Sequence, residues 1–236
     1  MVSSRQFALL FILSAACIHV RAAAPATSYV IQTVAGANNS GDGGSALLAA
    51  LDQPEGIAVD NGGNIYVADA ADNRVRKIAP DGSIQTFAGT GAAGFAGDGG
   101  PATAAQLNQP YGLALDRAGN LYIADLGNAR VRKVTIDGAI YTVAGGGAFP
   151  AANQGQGGPA TVAQLVEPRN VTLDASGALY ISDFGAHQVY SVAGDGTLTL
   201  VAGSGVAGFS GDGASALLGQ LNAPAGLAAA QARGER

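Results

Sequence analysis

Tryptophan is absent from these 236 residues, histidine occurs twice, and the single cysteine is Cys17. Charged residues make up 12% of the chain, about half of ordinary usage. Each shortage excludes a class of chemistry. One cysteine closes no intramolecular disulfide, and Cys17 lies in an N-terminal segment that reads as a leader. Beyond that segment neither disulfides nor thiolate catalysis remain. His187 is the only histidine there, so a multi-histidine zinc site cannot be assembled, and no Ser-His-Asp or Cys-His arrangement is available.

The leader itself is short on charge. Arg5 precedes the apolar run 7–20, and small residues follow at 22–26, the layout of a secretory signal. The run is too short for a comfortable membrane span. Ala24-Pro25-Ala26 offers an A-x-A cleavage site with Thr27 as the new N-terminus. Ser14-Ala15-Ala16-Cys17 lacks the aliphatic residue expected three positions before a lipidated cysteine, which disfavours lipidation of Cys17. Taking Arg5 and Arg21 from the 12 basic residues leaves ten against 17 acidic ones, a net charge of about −7. The expectation is an exported chain, in the periplasm, on the cell surface or in the medium, with no membrane span after signal removal. An acidic exported protein is a poor partner for a phosphate backbone, so no nucleic acid is expected.

What the chain has in excess is glycine, 36 residues, placed at a fixed period. Pro54-Glu55-Gly56, Pro110-Tyr111-Gly112, Pro168-Arg169-Asn170 and Pro224-Ala225-Gly226 recur at steps of 56, 58 and 56. Tyr66-Val67-Ala68-Asp69, Tyr122-Ile123-Ala124-Asp125 and Tyr180-Ile181-Ser182-Asp183 keep the same step, as do Asp42, Asp98, Gln156 and Asp212. Such a period means an array of equivalent units, none able to bury its apolar face alone.

Within one unit the signals are four short strands separated by turns: 56–60, 65–69, 74–78 and 84–89. Repeated four-stranded antiparallel units predict β-propeller blades around a channel. The fold class is therefore all-β, with three complete blades (56–89, 112–145 and 170–203), a lone fourth strand at 29–36 and a lone first strand at 225–230. About 20 residues connect one unit to the next, and Pro101-Ala102-Thr103-Ala104-Ala105-Gln106-Leu107 within one connection reads as a short helix. The domain expectation is 1–26 signal, 27–230 partial propeller and 231–236 an unrelated tail, as in a truncated or frameshifted product.

The string Pro-x-Gly-(Ile/Leu)-Ala-(Val/Leu)-Asp, then Gly-Asn-(Ile/Leu)-Tyr-(Val/Ile)-Ala-Asp, then an Arg-Val step, resembles the NHL repeat. Residues 54–78 and 110–134 carry it well and 168–192 more weakly. The connection Gly94-Phe95-Ala96-Gly97-Asp98-Gly99-Gly100-Pro101-Ala102 resembles that of bacterial exported and teneurin-type NHL propellers. The resemblance implies a six-bladed parent. It leaves function open, because such propellers serve RNA binding, protein binding, receptor sensing and metal-dependent lyase chemistry.

Where residues recur, structure is the economical reading. Asp69 with Arg74, and Asp125 with Arg130, are expected to pair at the blade rim. Arg74 and Arg76 share a strand face opposite Lys77, so the basic run is not one patch. Each Gly-Asp-Gly loop offers one carboxylate, too few for calcium, and its Asp is expected to cap the following turn. His187 reads as solvated variation. Divergence is concentrated at the middle of Pro-x-Gly, at the channel mouth: Glu55, Tyr111, Arg169 with Asn170, and Ala225. These are the candidate ligand-binding residues. Gluconolactonase-like propellers resemble this layout in carrying a metal-binding Glu there, which makes Glu55, with Asn170, a metal candidate lacking a clear third ligand. The expected function is a non-catalytic binding or scaffold module for a protein or carbohydrate ligand, with no cofactor. The alternative is a fragment of a metal-dependent lactonase- or lyase-like enzyme.

Overall fold

Each of the three repeat units contributes four antiparallel strands to one sheet, in chain order from the inside outward, and the third sheet gains a fifth at its outer edge. The first blade comprises Pro54–Val59, Ile65–Asp69, Arg74–Ile78 and Ile84–Ala88. The second comprises Pro110–Leu115, Leu121–Asp125, Arg130–Val134 and Ile140–Gly145. The third comprises Pro168–Leu173, Leu179–Asp183, Gln188–Val192 and Thr197–Ala202. This computed structural model describes residues 9–13, 16–21, 30–35, 41–150 and 156–229. Among them no helix is long and apolar enough to cross a membrane. The expected helix after Pro101 is one 3-10 turn, Ala102–Ala104.

The core lies between blades. Val75 and Ala88 of the first blade pack with Leu113, Leu121, Ile123, Val134 and Ile140 of the second. Ala124, Val131 and Ala144 of the second pack with Val171, Leu179, Ile181, Tyr190 and Leu198 of the third. Burying each large side chain of this kind contributes about 1.5–3 kcal/mol, which no blade gains alone. The fourth strand of every blade bulges by one residue, Phe87, Val143 or Val201, opposite the equivalent steps Val75/Arg76, Val131/Arg132 and Val189/Tyr190. The bulge adds twist to the outer half of the blade.

Glycine at the third position of Pro-x-Gly is a packing requirement. A Cβ on Gly56 would sit 2.1 Å from the carbonyl oxygen of Tyr111, and one on Gly112 would sit 2.6 Å from the Cα of Asn170. Inner strands of adjacent blades therefore meet backbone to backbone. Asn170 faces a different neighbour, where Ser182 Oγ donates to the carbonyl of Ala225 at 3.3 Å. Residues 224–229 keep the inner-strand motif but are not paired as a strand.

Each connection covers the outer edge of the blade that follows it. Gly43 N–H donates to Ile84 O at 2.8 Å, and Gly99 N–H to Ile140 O at 2.7 Å. In the third blade, Gln156–Pro159 pairs with Thr197–Ala202. An outer strand that would otherwise offer a free edge is thereby closed. The fourth connection repeats the local fold, since Ser210 bridges Gln220 as Ala96 bridges Gln106. Among the described residues nothing covers it: Ala216 is exposed where Ala46, Ala102 and Ala160 are buried, and Phe209 is 87% exposed.

At the N-terminal end, Val30–Ala35, the expected fourth strand, pairs with Ala16–Arg21, which pairs with Leu9–Leu13. Residues 9–13 and 16–20 of the apolar run expected as a signal are thus paired strands beside it. Residues 1–8 and 231–236, the latter the expected tail, lie outside the described residues.

Candidate functional site

Two kinds of polar cluster occupy the loop face: pins that recur in blades, and one cleft whose residues differ from blade to blade.

The pins centre on buried arginines. Asp69 does not pair with Arg74, nor Asp125 with Arg130, as the spacing suggested. The guanidinium of Arg76 lies 3.7 Å from Asp69 and donates to Asp42 at 2.8 Å. That of Arg132 lies 3.4 Å from Asp125 and donates to Asp98 at 2.6 Å. Arg76 and Arg132 are fully buried, so each spans two carboxylates from different elements. The physical reason is the second carboxylate oxygen: Asp69 and Asp125 also accept the backbone N–H of Asp52 and Asn108 at 2.7 Å, which turns them inward. Arg74 instead donates to the carbonyl of Thr90, and Arg130 stacks on the ring of Phe95 at 3.7 Å.

The same geometry corrects the reading of the Gly-Asp-Gly loops. Asp42 and Asp98 do not cap the turns that follow them; they accept from the arginine and from Thr86 or Thr142 of the next blade. The third blade drops both charges at once, with Gln156 at the loop position and Tyr190 at the arginine position. There the Tyr190 hydroxyl, 1% exposed overall, donates to Gln188. Asp183 stays, held by the N–H groups of Val166 and Glu167 at 2.9 and 2.8 Å.

Burial dominates the titration of these aspartates. Desolvation pushes Asp69 and Asp125 up to about 6 despite their N–H donors and arginines, and raises Asp183 as well. Asp69 Oδ2 has no hydrogen-bond partner, which fits a carboxyl that protonates readily.

His187 is also a pin rather than a solvated substitution. Its Nδ1 accepts the N–H of Ala223 at 3.0 Å, as the Oδ1 of Asn73 accepts from Gln109 at 3.0 Å. Gln109 and Ala223 each precede a proline yet have φ of 50° and 53°. That left-handed conformation is strained for a side-chain-bearing residue and needs such a partner.

The cleft at the channel mouth collects the residues that differ. Glu55, Tyr111, Arg169, Asn170 and Ala225, with Gly56, Gly112 and Gly226, line a space of about 360 Å³. The first strand of each blade starts here, and the glycine contacts bring neighbouring strands close enough for their middle residues to converge. The Arg169 guanidinium lies over the Tyr111 ring at 5.0 Å and over the Phe184 ring at 4.5 Å. Burial raises the Tyr111 hydroxyl above its ordinary value, the Glu55 carboxylate raises it further, and Arg169 opposes both. Phe184 was missed by sequence reasoning, although the signal was present: it follows Asp183 where Ala70 and Leu126 follow Asp69 and Asp125. Among the described residues no group of three or more His, Cys, Asp or Glu side chains is placed to hold a metal ion. Glu55 and Asn170 alone do not make up a metal donor set.

Four-stranded blades, radial packing and a cleft at the axis define a β-propeller built of NHL repeats. The chain belongs to the teneurin-type NHL family: the Teneurin NHL domain model matches residues 32–94 and again 91–152, about half of the chain. It is 36% identical over 101 residues to Protein SUPPRESSOR OF QUENCHING 1, chloroplastic, of Arabidopsis thaliana, covering 42% of this chain and 9% of that protein. Human Teneurin-4 is 36% identical over 100 residues, covering 37% of this chain and 4% of that protein. The chain thus spans a small part of the length of these relatives.

Among solved structures, a protein of unknown function from Bacteroides thetaiotaomicron superposes with a TM-score of 0.56 at 22% identity, over 81% of this chain and 43% of that one. An auxiliary nutrient binding protein from Bacteroides ovatus gives 0.56 at 17%, over 79% and 45%. A streptogramin B lyase gives 0.50 at 15%, over 82% and 50%. At these identities the likeness shows the fold.

Proposed function

We propose that this protein is an exported, non-catalytic binding module whose ligand enters at the channel mouth. The observation that carries the reading is the contrast between the two clusters. The buried pins recur across blades, whereas Glu55, Tyr111 and Arg169 occupy one equivalent position with three chemistries and converge on one cleft. Rigid scaffolds with divergent residues at a concave mouth are the usual setting of a binding site. Export is supported by the leader pattern at 1–26. The partner class is a small polar molecule, or the polar end of a carbohydrate or protein.

Thermal-shift screening against sugars, sugar acids, amino acids and short peptides tests the reading. A stabilising ligand lost in Arg169→Ala supports it, and a screen in which no polar ligand depends on Arg169 overturns it. A metal-dependent enzyme is the competing reading. Calorimetric titration with Ca²⁺, Mg²⁺ and Mn²⁺ is expected to show no tight binding. Tight binding abolished by Glu55→Ala would replace the module with that enzyme.

A further inference from the structure

We propose that the channel-mouth cleft selects a small zwitterion, an α-amino acid or a dipeptide, with its carboxylate on Arg169 and its ammonium on Glu55. This rests on the reading of the mouth as a binding site and names its ligand class.

The placement of charge carries the argument. Glu55 and Arg169 stand at the same position of the first and third blades, with Tyr111 of the second blade between them. Glu55 raises the Tyr111 hydroxyl and Arg169 lowers it, so both side chains reach that group. Among the described residues they are nevertheless not within ion-pair distance of each other or of any other charged group. The cleft therefore presents a positive side and a negative side about Tyr111, neither closed by an ion pair.

Arg169 is held for this role. Its guanidinium lies 5.0 Å from the Tyr111 ring centroid and 4.5 Å from that of Phe184, contacts that restrain it while its five N–H donors exceed what Tyr111 can accept. A carboxylate matches the guanidinium fork in two parallel hydrogen bonds. Glu55 is exposed and accepts only, so it suits an ammonium. The remaining lining is Gly56, Gly112, Ala225 and Gly226, which adds no bulk, and Asn170, which adds an amide. At about 360 Å³ the space falls near the lower end of small-molecule sites, which run roughly 300–1,000 Å³.

Discrimination follows from the opposed charges. A monocarboxylate meets Arg169 but is repelled by Glu55, and a primary ammonium meets Glu55 but is repelled by Arg169. Only a molecule carrying both charges satisfies both sides.

Calorimetric titration of the full chain with L-alanine, glycylglycine, propionate and ethylammonium provides the test. The zwitterions are expected to bind about twofold to fivefold more tightly than either single-charge analogue, the range one exposed pairing supplies. Glu55→Gln is expected to weaken L-alanine and strengthen propionate, while Arg169→Gln abolishes both. Thermal unfolding of each variant without ligand, with a melting temperature close to the parent's, separates a binding defect from a folding one. Propionate binding as tightly as L-alanine, or L-alanine unaffected by Glu55→Gln, overturns the zwitterion while leaving the channel mouth as a site. The same holds if a neutral sugar binds in an Arg169-dependent way and the zwitterions do not. Failure of every polar ligand overturns both readings.

Discussion

Arg76 donates to Asp42 at 2.8 Å across 34 residues of sequence, joining the connection before the first blade to that blade's third strand. With Arg132 and Asp98 at 2.6 Å, the same clamp holds the second blade. It ties each connection to the blade it covers, and it buries an arginine that only paired carboxylates make tolerable.

Breaking one side of this clamp is therefore costlier than replacing both. Arg132→Leu leaves Asp125 buried and short of a partner and is expected to destabilise the fold by about 3–5 kcal/mol. Asp98→Gln with Arg132→Tyr takes both positions to the residues the third blade carries there, Gln156 and Tyr190, and is expected to recover most of that loss. Urea unfolding of the two single variants and the double variant measures the coupling. Simple additivity would show that the clamp does not act as a unit.

Glycine substitutions separate close approach from backbone conformation. Gly112→Ala places a Cβ within 3 Å of the third blade's backbone and is expected to cost about 3 kcal/mol by forcing two inner strands apart. Gly177 has φ of 88° with open space around it, so Gly177→Ala costs only the conformational term, about 1 kcal/mol. Equal losses in thermal unfolding would contradict the packing account.

The buried aspartates set a pH dependence. Asp69 and Asp125 titrate near 6 in the fold, above their ordinary value near 3.8, so between those limits the folded chain holds more protons than the unfolded one. Their contribution to stability is full below the unfolded value and declines as pH rises through about 6. Carboxyl carbon chemical shifts followed from pH 3 to 8 should show both groups titrating near 6. Asp69→Asn should remove its share of the stability slope over pH 4–6. Titration near 3.8 would refute the desolvation account.

Cleavage after Ala26 is the expectation from the leader, and it would remove Leu9–Leu13 and Ala16–Arg21 from beside Val30–Ala35. Intact-mass and N-terminal analysis of the exported product should find Thr27 first. An N-terminus at residue 1 or 2 on the exported protein would show that the two strands are retained.

Much of the fold was legible because its signals are local. The turn residues, the alternation in Leu121-Tyr122-Ile123 and the period itself mark every strand of the three blades. The channel-mouth cleft was legible too, because equal positions in equal units meet at the axis, so divergence at Glu55, Tyr111 and Arg169 implied proximity. The pins were misread. A five-residue spacing put Asp69 opposite Arg74, yet side chains longer than the strand step reach past the facing residue. The roles of Asp42 and His187 also depend on neighbours 34 and 36 residues away.

The sequence by itself determined the repeat, the strands and the position at which blades differ, since these follow from hydrophobic period and turn chemistry along the chain. Only the tertiary structure decided which arginine meets which carboxylate, why Gly56 and Gly112 admit no side chain, and that Phe184 joins Tyr111 around Arg169. Those are contacts between blades and connections. Their partners are chosen by the distance of closest approach in three dimensions, which the order of residues does not specify.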